Sequence, residues 1–429
     1  MNKNKVYFLC SPNMGIIDSW MPVIYKLNEI KEIDLIIIIP SPAIVRNIDL
    51  SNVLIKIATE VFSKIIFKGY DNRWHSSENF ESTKYFLENQ VFYKVFYKIT
   101  NRIFKRQFCF TNTLKPLVSV DINGESKTLL YDIYEESKKY WKEIGDTFSY
   151  SKKFSLPYSN WIAGVDPKSK INSYLDGLIE IKNNQPEIIF AYSNKQEKYY
   201  KSLSSESRII TVGIPRHDQW WIDILSKYSI NCEATFEEGY ILVISRGGDS
   251  DRFSANDKEK SIEDIRRIAK KFKKKIVIKK HPKEITSKEC LWECALGIDN
   301  YRKTWVYSNR HILPLASQSC FVVAFLSSVA PDIVRMKKPM VARYDLRGNS
   351  VYDNENSLRN NKGYPVMGYA QFNLEFLAID FLELSEFYHE STKGDSTVLR
   401  RQCSAYRGLF SRENTSSEIV VKNILNCIG

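Results

Sequence analysis

The chain has 429 residues, a formal net charge of +12 and 43% apolar residues, with only 17 Gly and 14 Pro; this excludes a disordered, low-complexity or collagen-like polymer. That length exceeds what one ordinary core supports, so two domains of roughly 200 residues each are expected. No apolar run approaches the ~18 residues needed to span a bilayer, and residues 1–5 open no signal peptide, so a cytoplasmic protein is expected. The basic balance favours anionic partners such as nucleotides, phosphorylated carriers or an acidic membrane surface. Nucleic acid is not expected, because no zinc-finger, helix-turn-helix or RRM signature accompanies the charge.

In chain order, residues 5–10 read as a short apolar strand, 11–15 as a turn and 18–30 as a helix by periodicity. Residues 34–39 form a β-branched apolar run, as a strand buried on both faces requires. This βαβ opening predicts an α/β fold built on a doubly wound sheet. Further strands are expected at 53–57, 64–67 and 116–121. Residues 82–108 read as a long helix, with Tyr85, Phe86, Phe92, Tyr93, Phe96 and Tyr97 interleaved among Lys94, Lys98, Arg102, Lys105 and Arg106. Such a helix either turns its aromatics into a core or lies on an anionic membrane as a peripheral contact.

A strand at 208–212, a turn at 213–218 and a helix at 218–227 lead into a polar linker at 229–238. A second alternating series follows: strand 240–245, polar loop 246–257, basic helix 259–273 and strand 275–279. It continues with a helix near 310–317, a strand at 321–325, a further helix opened by Ser327-Ser328, and a strand at 338–344. The expected organisation is two Rossmann-like domains, 1–230 and 239–372, facing a central cleft, with helices over 373–429 packing back. The eight cysteines are dispersed. Cys290 and Cys294 stand four apart on an expected helix without zinc-ligand spacing nearby. All eight read as reduced, buried thiols, and no metal site is expected.

Three strand ends in the second series carry the chemistry. An apolar strand delivers Lys279, Lys280 and His281 to its C-terminal end, where open α/β sheets bind ligands, and Pro282 keeps the residue before it out of the helical region. A histidine there can donate to a phosphate or protonate a leaving group. Ser327 and Ser328, at an expected helix start, bring hydroxyls and backbone N–H groups to an anion, and Asp332 one turn on can accept from a sugar hydroxyl or favour the helix dipole. Arg246, Gly247 and Gly248 follow the first strand of this series; the glycines permit close backbone approach and the guanidinium binds phosphate in a bidentate way. Neither a dinucleotide fingerprint nor a P-loop is present. Three phosphate-suited strand ends in one unit point to a nucleotide mono- or diphosphate.

Residues Thr211-Val212-Gly213-Ile214-Pro215-Arg216-His217-Asp218 resemble the Gly-x-Pro-Arg-x-Asp turn of the CDP-glycerol glycerophosphotransferase family. Lys280-His281-Pro282 and Ser327-Ser328-Val329 with Asp332 are similar to the donor motifs of that family and of bacterial capsule sialyl- and Kdo-transferases using CMP-sugars. The resemblance spans roughly residues 190 to 345. It implies a GT-B enzyme that handles a nucleotide-activated sugar without metal or cofactor, builds a surface glycan and acts on a glycan or lipid-linked acceptor. His281 would assist the departing phosphate, Ser327 and Ser328 would hold it, and the Pro215-Arg216 turn would be an architectural hinge. One departure stands: where glycerophosphotransferases carry a His-Gly-Thr-Pro-like motif, Ser155-Leu156-Pro157-Tyr158-Ser159-Asn160-Trp161 has no histidine. An inverting transferase also needs a carboxylate base, for which Asp18, Asp121 and Glu125 are the candidates. His217 and His311 are weaker candidates for the cleft, and His75 and His389 have no evident partner. A CDP-polyol phosphotransferase, a hydrolysing UDP-sugar epimerase and a non-catalytic glycan- or membrane-binding relative are the alternatives on this fold.

Overall fold

The computed structural model describes residues 4–10, 14–46, 52–70, 73–91, 128–131, 151–157, 186–203, 206–229, 236–237, 239–247, 249–250, 253–281, 284, 290–350, 352–355, 357–366, 368–410 and 415–428. Its first sheet holds β1 (Asn4–Leu9), β2 (Ile33–Ile39), β3 (Lys64–Lys68), β4 (Trp74–Ser77), β5 (Thr128–Tyr131), β6 (Lys152–Ser155), β7 (Ile188–Ala191) and β8 (Arg208–Thr211). They lie in the order β4-β3-β2-β1-β5-β6-β7-β8. All pairings are parallel except β3 with β4. The chain works outward from β1 to β4, then resumes on the other side at β5, so the order reverses between β1 and β5. Helix α1 (Met14–Asn28) follows β1 and buries Ile16, Ile17, Trp20, Met21, Val23, Ile24 and Leu27 against the sheet core.

The second sheet holds β9 (Tyr240–Ile244), β12 (Ile276–Lys279), β13 (Trp305–Tyr307), β14 (Ser319–Ala324), β15 (Met340–Arg343) and β16 (Phe376–Ala378) in the order β13-β12-β9-β14-β15-β16. A small antiparallel ribbon, β10 (Asp249–Ser250) with β11 (Phe253–Ser254), stands apart from it. Every pairing within the second sheet is parallel. Strand β9 is buried at all five residues, as a central strand covered on both faces must be. The order reverses between β9 and β14, which places β12, β9 and β14 side by side.

Three helices follow β16: Phe381–Ser391, Thr397–Leu409 and Ser416–Ile428. The second packs on Ala330–Arg335, and the last returns to the first sheet and packs on α1, where Lys26 pairs with Glu418 at 3.2 Å.

Residues 53–57 are not a strand but the first part of the helix Val53–Val61. The Asn52 side chain accepts from the Leu54 amide, and Val53, Leu54, Ile57, Ala58 and Val61 form one buried stripe. Capping and helical spacing thus override the β-branched composition. The basic helix begins at Ala255 rather than 259, fixed by a capping box between Ser254 and Asp257. Strands β13 and β16 were not foreseen, since three residues are too few for an alternation to register. The expected strand at 116–121 lies outside the described residues. So does the long basic–aromatic helix beyond residue 91; the helical part that is described buries Phe86 and Leu87 and exposes Tyr85. No helix among the described residues is long and apolar enough to cross a membrane.

Candidate functional site

The C-terminal ends of β12, β9 and β14 form one continuous rim, since Lys279 pairs in register with Ile244 and Ile244 with Ala324. Open α/β sheets bind ligands at such ends where the strand order reverses. From β9 come Arg246 and Gly247, both half-buried. From β14 come Ser327, half-buried, and Ser328, exposed. Arg246 Nη1 donates to the Leu326 carbonyl at 3.0 Å across the reversal, and Leu326 adopts a left-handed φ of 46°. A non-glycine residue there is strained by ~1–3 kcal/mol, a feature that collects at functional sites. From β12 come Lys280, whose Nζ lies 4.0 Å from the Tyr307 ring centroid, and His281, which is exposed.

Beneath the rim lies a polar knot that the sequence did not announce. Glu284, 3% exposed, accepts at Oε1 from Ser245 Oγ at 2.8 Å and from Lys258 Nζ at 2.8 Å. Its Oε2 accepts from the His281 amide at 3.3 Å, and Trp292 Nε1 donates to Ser245 Oγ at 3.0 Å. One buried carboxylate thereby ties the residue at the end of β9 to the backbone of His281. The only hint in the sequence is a glutamate three residues beyond a histidine, a spacing that one helical turn brings together.

A second cluster joins the two sheets. Arg216, in the turn after β8, donates from Nε and Nη2 to Asp332 Oδ1 and Oδ2, each at 2.9 Å, and from Nη1 to Asp18 Oδ2 at 2.7 Å. Asp18 Oδ1 meets His311 Nε2 at 2.9 Å, while His311 Nδ1 accepts from the Leu313 amide; the proton therefore sits on Nε2. His217 Nε2 contacts Asp332 Oδ1 at 2.6 Å, and Nδ1 contacts the Tyr406 hydroxyl at 2.7 Å. The next residue, Asp218, accepts from the Ser416 and Ser417 amides at 3.0 and 2.8 Å and so caps the last helix. Three consecutive side chains of the Gly-x-Pro-Arg-x-Asp turn thus grip the first sheet, the second sheet and the C-terminal helices.

Two expectations are corrected by this cluster. Asp332 does not face a sugar: it is 1% exposed, and both its oxygens are taken by Arg216 and His217. Asp18 is not a free base; burial disfavours its charge, yet His311 and Arg216 beside it hold its carboxyl well below the ordinary carboxylate range, where it is a poor proton acceptor. Ser327 and Ser328 precede the helix Ala330–Arg335 rather than open it, because Pro331 sits in its first turn and fixes the start there. Lys279 Nζ donates to the Arg310 carbonyl at 2.7 Å, and burial pushes its ammonium down to about 8 against the pull of Asp18. It is therefore tied to the Arg310 backbone, and half-buried Lys280 and exposed His281 follow it. Asp121, Glu125, Gly248 and Pro282 lie outside the described residues. Among the described residues no group of three or more His, Cys, Asp or Glu could hold a metal ion.

The cluster is expected to make stability fall in acid. Burial lowers the pKa of His217 below its ordinary 6.5, against the opposing pull of Asp332. The unfolded chain therefore takes up a proton that the folded chain refuses, and stability present above about pH 6.5 drains as pH falls through the window below it. Asp18 and Asp332, both lowered from 3.8, then lose their contribution as pH falls further. Urea midpoints measured from about pH 7.5 to 5 should decline, and His217→Gln should flatten that decline.

No family model matches the sequence, and no curated protein matches it. Solved structures do. UDP-GlcNAc 2-epimerase of Methanocaldococcus jannaschii, in complex with UDP-GlcNAc and UDP, superposes with a TM-score of 0.53 at 11% identity over 99% of each chain. The S. aureus MnaA–UDP co-structure gives 0.55 at 11% identity, covering 99% of this chain and 97% of that one. The wall teichoic acid polymerase TagF soaked with CDPG gives 0.55 at 13% identity, covering 99% and 89%. The fold is GT-B. At these identities the likeness concerns architecture alone. Within the GT-B frame, the Arg216 cluster joins the turn after β8, the helix after β1 and the helix after β14, so the C-terminal ends of both sheets converge on one another.

Proposed function

We propose that this GT-B chain is a glycosyltransferase that takes a sugar from a nucleotide-activated donor, a CMP-linked acidic sugar by preference. The acceptor in this reading is a bacterial cell-surface glycan or a lipid-linked glycan, met at the cytoplasmic face of the membrane. The observation that carries the proposal is the adjacency of the β12, β9 and β14 ends at the reversal of strand order, each with a phosphate-suited group. The donor phosphate sits across Arg246–Gly247 and Ser327–Ser328. Lys280 and His281 neutralise charge building on the departing phosphate, so turnover requires no metal and survives chelation. With Asp18 engaged in ion pairs, Asp121 and Glu125 are the carboxylates left to take the acceptor proton.

Two other readings have an observation behind each: the likeness to TagF with CDPG favours a CDP-polyol phosphotransferase, and the epimerase likenesses favour a UDP-sugar epimerase. The histidine-free stretch Ser155–Trp161 counts against the former. A thermal-shift screen with CMP, CDP, UMP, UDP and GDP separates them. A ligand at a hundredfold excess over its Kd adds about 2.7 kcal/mol. A shift with cytidine nucleotides, weakened in His281→Ala, is the expected result. A uridine-only shift moves the assignment to the epimerase reading, and no shift with any nucleotide sinks the transferase.

A further inference from the structure

The described cysteines range from buried to exposed. Cys10 is fully buried, and burial pushes its thiol up to about 12. Cys290 and Cys294 are both exposed, contrary to the expectation of buried thiols, and their Sγ atoms lie 3.6 Å apart. They sit on one side of the short helix Leu291–Leu296, whose opposite side is firmly anchored. There Trp292 is buried, stacks on Phe325 with ring centroids 6.1 Å apart, and donates to Ser245. The Tyr307 hydroxyl donates to Glu293 Oε1 at 2.7 Å. The anchoring holds the two thiols in register on the outer side.

We infer that Cys290 and Cys294 form a dithiol site that closes reversibly to an intrahelical disulfide by exchange with a small-molecule disulfide. Residues four apart on a helix hold their Cβ atoms ~5–6 Å apart, while a disulfide needs about 3.5–4.5 Å. The difference is made up at Cys290. That residue is the N-cap, with φ −109° and ψ 27°; its side chain makes no capping hydrogen bond, and its carbonyl accepts from the Cys294 amide at 2.9 Å, the bond that its movement strains. In the exchange, one cysteine thiolate attacks a sulfur of the small disulfide, forming a mixed disulfide and expelling one thiolate. The second cysteine thiolate then attacks the protein sulfur and expels the other. The two cysteines are oxidised by two electrons, the reagent is reduced to two thiols, and those thiols carry away both cysteine protons. The hydrogen shared with Cys290 holds the Cys294 thiol above its ordinary value, so exchange quickens toward mildly alkaline pH.

The test incubates the full chain with glutathione disulfide, alkylates the remaining thiols and maps the peptides by mass spectrometry. The wild type should yield a peptide spanning both cysteines that is lighter by two hydrogen atoms and free of glutathione, and dithiothreitol should reverse it. Cys294→Ser should instead accumulate a glutathione adduct at Cys290. Stable glutathione adducts on both cysteines of the wild type, or two thiols that stay reduced while the reagent modifies other cysteines, would overturn the assignment.

Discussion

Replacing Arg216 by methionine is expected to lower the stability of the fold by about 3–5 kcal/mol, seen as a lower urea midpoint. Arg216 is 7% exposed and links two buried carboxylates, Asp18 and Asp332, from the helix after β1 and the helix after β14. Burial works against its charge, but Asp332 and Asp18 outweigh burial and raise its pKa. Methionine fills similar volume and leaves both carboxylates desolvated beside His311 and His217. The loss should be largest near neutral pH and shrink in acid, where the stranded carboxylates can protonate. Lysine should rescue only part of it, because one ammonium cannot reproduce a fork that serves two carboxylates. A loss below about 1 kcal/mol would mean that the pairing merely balances its own desolvation.

That cluster marks where sequence reading ran out. Arg216 was legible as part of a turn that resembles a family hinge, but its partners stand 198 and 116 residues away. Nothing in the local pattern says that Asp18 or Asp332 is spoken for; each looked available because a carboxylate near a strand end is what a site needs. Burial between two sheets decides otherwise. The rim was legible for the opposite reason: Lys280 and His281, Arg246 and Gly247, and Ser327 and Ser328 each come within a few residues of the end of an apolar strand. Local periodicity therefore fixes which end they occupy. What the periodicity could not give was adjacency, which depends on the strand order β12-β9-β14. The helix Val53–Val61 failed for a third reason: its cap and its spacing outweighed its composition. The expectation for Cys290 and Cys294 failed for a fourth, since it is Trp292 between them that turns into the core while both thiols stay exposed.

His281→Ala is expected to reduce transfer from the nucleotide-activated donor by about 10²–10⁴-fold while leaving the urea midpoint unchanged. His281 is exposed, and it is the amide of its backbone that donates to Glu284. Removing the imidazole therefore leaves the Ser245–Glu284–Lys258 knot in place and takes away the group that the proposed transfer needs beside its donor phosphate. Asp18→Asn should behave in the opposite sense, weakening the fold through Arg216 and His311 before it touches turnover per folded molecule. The contrast would separate the two clusters by kind: in the proposed function the rim acts on the ligand, whereas the buried cluster holds the two halves of the chain together. Glu284→Gln lies between them. It keeps the shape beneath His281 but removes the charge that Lys258 balances, at 2.8 Å and 1% exposure, so it should lower both stability and turnover. If His281→Ala keeps full turnover, the rim binds phosphate without assisting its departure, and the acid must be sought elsewhere along the cleft.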